Sequence, residues 1–107
     1  MKVNILSEIK DYKDKPLKAS DGVKAENLTW RTIVFNALNT FTKDEQPTGE
    51  IKAKCYRITK KIYDSKTPDL TVDERAVVLE RIDKIYSSPL ICGKSKEFFD
   101  EKEKNGN

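Results

Sequence analysis

The sequence predicts a mainly α small domain of four helices, preceded by an N-terminal β-hairpin or extended arm. Three observations carry that prediction. Apolar residues recur at three- and four-residue steps in four separate stretches, helix-capping signals open three of them, and strand-like alternation is confined to the first residues. The chain has 107 residues, 36% of them hydrophobic and 36% charged, which suits one core and leaves no room for two. A single domain over residues 1–107 is expected: a hairpin or arm over 2–19, a helical core over 28–101 and a frayed tail over 102–107.

The arm opens on Val3, Ile5, Leu6 and Ile9, and the Asp- and Lys-rich run from Asp11 to Pro16 reads as a turn. Residues 20–27 read as a loop. Thr29 then stands where an N-cap belongs, with Leu28 before it poised to pack on Ile33. Trp30, Ile33, Val34, Ala37, Leu38 and Phe41 give a first helix over about residues 30–41. The polar stretch from Lys43 to Gly49 interrupts it. Ile51, Cys55, Ile58 and Ile62 make the stripe of a second helix over about 50–64, with Tyr56 and Tyr63 flanking it and Lys54, Arg57, Lys60 and Lys61 opposite. Thr71-Val72-Asp73-Glu74 fits a capping box, so a third helix starts there, with an apolar face of Ala76, Val78, Leu79, Ile82, Ile85 and Tyr86. Ser88-Pro89 opens a fourth helix expected to reach Glu101, carrying Leu90, Ile91, Phe98 and Phe99. Gly93 inside it either admits a close neighbour or splits the segment.

Composition excludes several classes of function. The chain has no His, which removes the His-dependent catalytic constellations and the usual His-bearing zinc sites, and no metal or cofactor is expected. No apolar run approaches a membrane span, and the amino terminus becomes charged too soon for a secretory signal. Cys55 and Cys92 stand far apart and read as two reduced, partly buried thiols, with no base to make either a nucleophile. Glu74 with Glu80 or Asp83 is the remaining catalytic candidate. All three fall on the polar side of the third helix, so a non-enzymatic protein is expected.

Two features invite a partner. The second helix and its end, from Glu50 to Lys66, hold six basic residues against Glu50 and Asp64, and a net charge of +3 over the chain permits nucleic acid without requiring it. The segment from Asp69 to Lys84 is acidic in compensation, so complementarity within the fold competes with phosphate binding. A helix-turn-helix fits poorly: the connection from Ser65 to Thr71 is too long, and the following helix begins with acid. Among the aromatic residues, most of which are core by spacing, Phe35 lies off its helix stripe. Phe98 and Phe99 are neighbours on a helix, so one docks inward while the other is free to anchor an interface. Lys54, Arg57, Lys60, Lys61, Phe35 and Phe99 are therefore the candidate partner or nucleic-acid contacts.

Leu28-Thr29-Trp30-Arg31 through Ala37-Leu38, then Lys60-Lys61-Ile62-Tyr63, Asp69-Leu70-Thr71-Val72-Asp73-Glu74 and Ser88-Pro89-Leu90-Ile91-Cys92-Gly93 set an order of helices and caps. In that order, residues 28–99 resemble small proteins encoded in tailed-bacteriophage and prophage genomes. The resemblance implies residence in the cytoplasm of an infected bacterium or in a virion, and it brings no functional residue with it. The expectation is a non-catalytic protein-interaction module, either a virion-assembly accessory or a regulator of a host protein, with another phage or host protein as partner. A homo-oligomer is compatible with it. The alternative is a small DNA- or RNA-binding regulator using the basic face of the second helix.

Overall fold

The computed structural model describes residues 2–19 and 26–105, the last six as backbone alone. Four helices follow one another: α1 (Trp30–Asn39), α2 (Gly49–Asp64), α3 (Val72–Ile85) and α4 (Pro89–Asn105). The molecule is mainly α, as the spacing predicts. Helix α1 is the centre, packed against both α2 and α3, while α4 packs on α3.

The N-terminal segment is an arm, and it forms no regular ladder among the described residues. It pairs by single antiparallel bridges, Lys2 with Asp69, Glu8 with Thr29, Lys10 with Pro16 and Lys18 with Asn27. The Asp11 carboxylate organises the predicted turn by accepting the amides of Lys13 and Lys15, at 2.7 and 3.0 Å, which lets Asp14 adopt a left-handed φ of 62°. Those two amides hold the Asp11 carboxyl below the usual carboxylate range. Residues 20–25 of the predicted loop lie outside the described residues. The arm belongs to the core all the same, because Val3, Ile5 and Ile9 are buried with the helix stripes. Polar pairing replaces a longer ladder: Asn27 donates to Glu8 and accepts from Lys18.

This arm explains a departure from the sequence expectation at α1. Thr29 is the N-cap residue, but its hydroxyl makes no capping bond. The amides of Trp30 and Arg31 instead donate to the carbonyls of Ser7 and Ile5, at 3.1 and 2.8 Å. Two orphan donors of the helix start are thus satisfied by the arm's backbone. Helix α1 also ends two residues earlier than expected, and Phe41 lies beyond it under the Arg81 guanidinium, 4.2 Å from the ring centroid.

The other helix starts use side chains. The Thr48 hydroxyl accepts from Ile51 N, one cap the spacing alone did not single out. At α3 the full capping box forms, Thr71 Oγ1 accepting from Glu74 N and Glu74 Oε1 from Thr71 N. Ser88 Oγ accepts from Ile91 N, with Pro89 in the first helical position. Helix α4 then runs unbroken past Gly93 and continues to Asn105, four residues beyond the expected end of the helical core; residues 106–107 of the predicted tail lie outside the described residues. Gly93 is exposed and a Cβ there would meet nothing within 4 Å, so it neither splits α4 nor receives a close neighbour.

Phe99 is a correction to the candidate contacts. It is fully buried, edge-on to Trp30 at 5.8 Å, while half-buried Phe98 stacks on Trp30 at 5.0 Å. Both rings are consumed in fastening α4 to the start of α1, because that helix start is the apolar surface nearest to them. Phe99 therefore offers nothing to a partner. On α3, Ala76 is exposed and not part of the apolar face, whereas Arg75 and Arg81 are buried.

Candidate functional site

Helix α2 splits its cations into two groups. At 100° per residue, Lys54 and Lys61 fall beside the Ile51/Cys55/Ile58/Ile62 stripe on the flank toward α3. Lys61 Nζ lies 2.7 Å from Glu74 Oε1 and also donates to the Asp69 carbonyl, and Lys54 Nζ lies 3.9 Å from Asp73 Oδ2. The expectation that all four cations stand opposite the stripe is corrected by these contacts: two are half-buried and face the acidic start of α3. Burial pushes the Glu74 carboxyl up, but the Lys61 ammonium and the Thr71 amide outweigh it and hold the group below its ordinary range. A carboxylate so held cannot serve as a general acid near neutral pH, and Glu80 is engaged by Lys84 at 3.5 Å.

Arg57 and Lys60 remain exposed and form no ion pair among the described residues. With them on the outward side of α2 stand Lys52, Tyr56 and Tyr63. The two tyrosines are 63% and 53% exposed, so the reading that they flank the core stripe is corrected too. Their positions lie more than about 100° from the stripe's centre, a signal the sequence held. Phe35 of α1 reaches this face, half-buried, with its ring edge-on to Tyr63 at 5.6 Å. The Arg31 guanidinium covers Tyr63 from another side, 4.9 Å from the ring centroid, and donates to the carbonyls of Ile62 and Ser65 at the end of α2. Arg31 therefore stabilises the negative end of that helix. Asn39 bridges the two helices by donating to Thr59 Oγ1 at 3.1 Å.

Tyr56 has no ring partner among the described residues and is the most exposed side chain of the cluster's aromatic members. From Asn27 to Lys43, and again from Ile51 to Tyr63, the chain contains no Asp or Glu and seven Lys or Arg. The outward surface of α1 and α2 thus sets Lys52, Arg57 and Lys60 against Glu50 and Asp64 at the two ends of α2, and is amide- and hydroxyl-bearing and studded with aromatic rings.

Among the described residues, no three Cys, Asp or Glu side chains gather as a metal ion requires. Cys55 and Cys92 are free thiols, buried and half-buried. Burial pushes both thiols up, and at Cys92 the neighbouring Asp83 carboxylate pushes further, away from thiolate character. Buried Arg81 and its half-buried partner Glu45 serve the fold. Arg81 donates to the carbonyls of Ala37 and Thr40 at the end of α1 and pairs with Glu45, whose carboxylate also receives the Thr42 amide. Among the described residues no helix is long and apolar enough to cross a membrane. Compared with known proteins, the chain matches no family model, no curated protein and no solved structure.

Proposed function

We propose that the chain is a non-catalytic protein-interaction module whose binding surface is the outward face of α2 together with Phe35 of α1. The observation that supports the reading is the pair of exposed tyrosines, Tyr56 and Tyr63, set among Lys52, Arg57 and Lys60. Tyr and Arg are the residues on which protein interfaces concentrate their binding energy, since each combines a rigid apolar body with a polar end. Glu74 and Glu80 are paired with Lys61 and Lys84, which favours binding over catalysis. In the setting that the resemblance implies, the cytoplasm of an infected bacterium or a virion, the partner is a phage or host protein.

The nucleic-acid reading loses ground to the same geometry. Lys54 and Lys61 are occupied by α3 and Arg31 by the end of α2, which leaves three cations on the face. Three duplex phosphate contacts give a slope of log K against log salt of about −3, a weak complex at physiological salt. Titration of labelled duplex and single-stranded DNA at about 0.15 M salt is the test. No binding tighter than about 10 μM is expected. A micromolar, salt-sensitive complex lost in Lys60→Glu would overturn the proposal.

A further inference from the structure

Building on that reading, we infer that the occupant of this face is a second copy of the chain, the two α2 helices packing antiparallel about a two-fold axis opposite Ile58. Such an axis sets each residue of one helix across from the partner residue that lies as far beyond Ile58 as the first lies before it. The exposed side of α2 carries both signs of charge, and this symmetry brings unlike ones together. Lys52 faces the partner's Asp64, and Asp64 faces the partner's Lys52. Tyr56 lies across from the partner's Lys60, which sets an ammonium against a ring. Tyr63 lies across from the partner's Ala53, a large side chain against a small one. Glu50 and Arg57 stand about 80–100° round from the axis and form the rim.

The two rings select the register. With the axis opposite Cys55 instead, the counterpart of Tyr63 is residue 47, before α2 begins; opposite Ile62, the counterpart of Tyr56 is residue 68, after it ends. Opposite Ile58, Lys52, Ala53, Tyr56, Lys60, Tyr63 and Asp64 pair entirely among themselves. That closure points to a second copy, because the face supplies its own complement. The antiparallel arrangement also sets the positive end of each α2 beside the negative end of the other. Phe35 and the Arg31 guanidinium already hold the Tyr63 ring, so little freedom is lost on docking it. The 16 residues of α2 make a helix about 24 Å long. One helix pair of that length is a small interface, under about 1,200 Å². The dimer is therefore a weak one, with a Kd of about 10–200 μM.

Sedimentation equilibrium of the full chain from about 5 μM to about 1 mM tests this, and the average mass should rise from one chain toward two. Lys52→Asp opposes carboxylates across the axis and Asp64→Lys opposes ammoniums, so each should weaken the dimer by about tenfold. In a mixture of the two variants every pair again joins unlike charges, and the affinity should return to that of wild type. Both substitutions suit the helix end they occupy, so circular dichroism should show the fold unchanged. Tyr56→Ala, at an exposed position, should also weaken the dimer by about tenfold. A chain that stays monomeric up to about 1 mM would overturn the dimer yet leave the face to another protein. A dimer indifferent to both charge reversals, or a mixture no tighter than either variant alone, would overturn the α2–α2 contact. Oligothymidine that converts the dimer into a DNA-bound monomer at about micromolar concentration would overturn the protein-interaction reading, and this inference with it.

Discussion

Arg81 illustrates how a single side chain can replace several backbone partners. Its guanidinium stacks on Phe41, donates to two carbonyls at the end of α1, and pairs with Glu45 in the loop before α2. Those carbonyls have no intrahelical partner, and the planar fork of Arg can serve both while holding a carboxylate. The Arg81 guanidinium and the Thr42 amide pull the Glu45 carboxyl down to about 2. A depressed carboxyl contributes stability that is complete above its unfolded value and lost as pH falls through its folded value. Wild type should therefore lose melting temperature between about pH 4.5 and pH 2. Glu45→Gln should melt lower at neutral pH, with its difference from wild type narrowing across that window. Asp11 and Glu74 are also lowered, so the difference between the two proteins, rather than either curve, isolates Glu45. A difference that stays constant from pH 7 to pH 2 would exclude this role. The buried place of Arg81 was not legible in the sequence, where a charge on an amphipathic helix reads as solvated. What buries it is the arrival of α1's end and the 40–48 loop.

At the scale of elements, the capping box of α3 was legible because it is local: Thr71 and Glu74 are three residues apart and need only each other. The start of α1 was legible in position and not in mechanism, since the carbonyls that satisfy its amides come from residues more than twenty positions earlier. Helix α2 shows the same division. Its stripe was legible from period alone, but which cations face α3 depended on where α3 packs. That division predicts a contrast. Lys61→Ala removes a half-buried partner of both Glu74 and the Asp69 carbonyl and should cost about 0.5–1 kcal/mol. Lys60→Ala, on the exposed face, should stay within about 0.5 kcal/mol of wild type. Urea melts of the two variants measure this, and equal midpoints would mean that the α2–α3 pairing contributes nothing.

For the whole molecule, the arm decides how the core closes. Val3, Ile5 and Ile9 share the core with α1, α2, α3 and α4, and the amides of Val3 and Ile5 donate to the carbonyls of Pro68 and Lys66 in the α2–α3 connection. Ile5→Ala should therefore cost about 2–5 kcal/mol, a large share of the 5–15 kcal/mol typical of a domain. Calorimetry showing an unchanged transition would place the arm outside the cooperative unit. Taken alone, the sequence determined four helices, most of their boundaries and the capping box, because helical period and caps act over three or four residues. It also determined that an arm, and not another helix, leads the chain. The tertiary structure decided what the arm satisfies, that Phe99 is interior, that Lys54 and Lys61 belong to the fold, and that Tyr56 and Tyr63 face outward beside Phe35. Those outcomes depend on which faces meet across the molecule, and a periodic pattern fixes a face's polarity without fixing what packs against it.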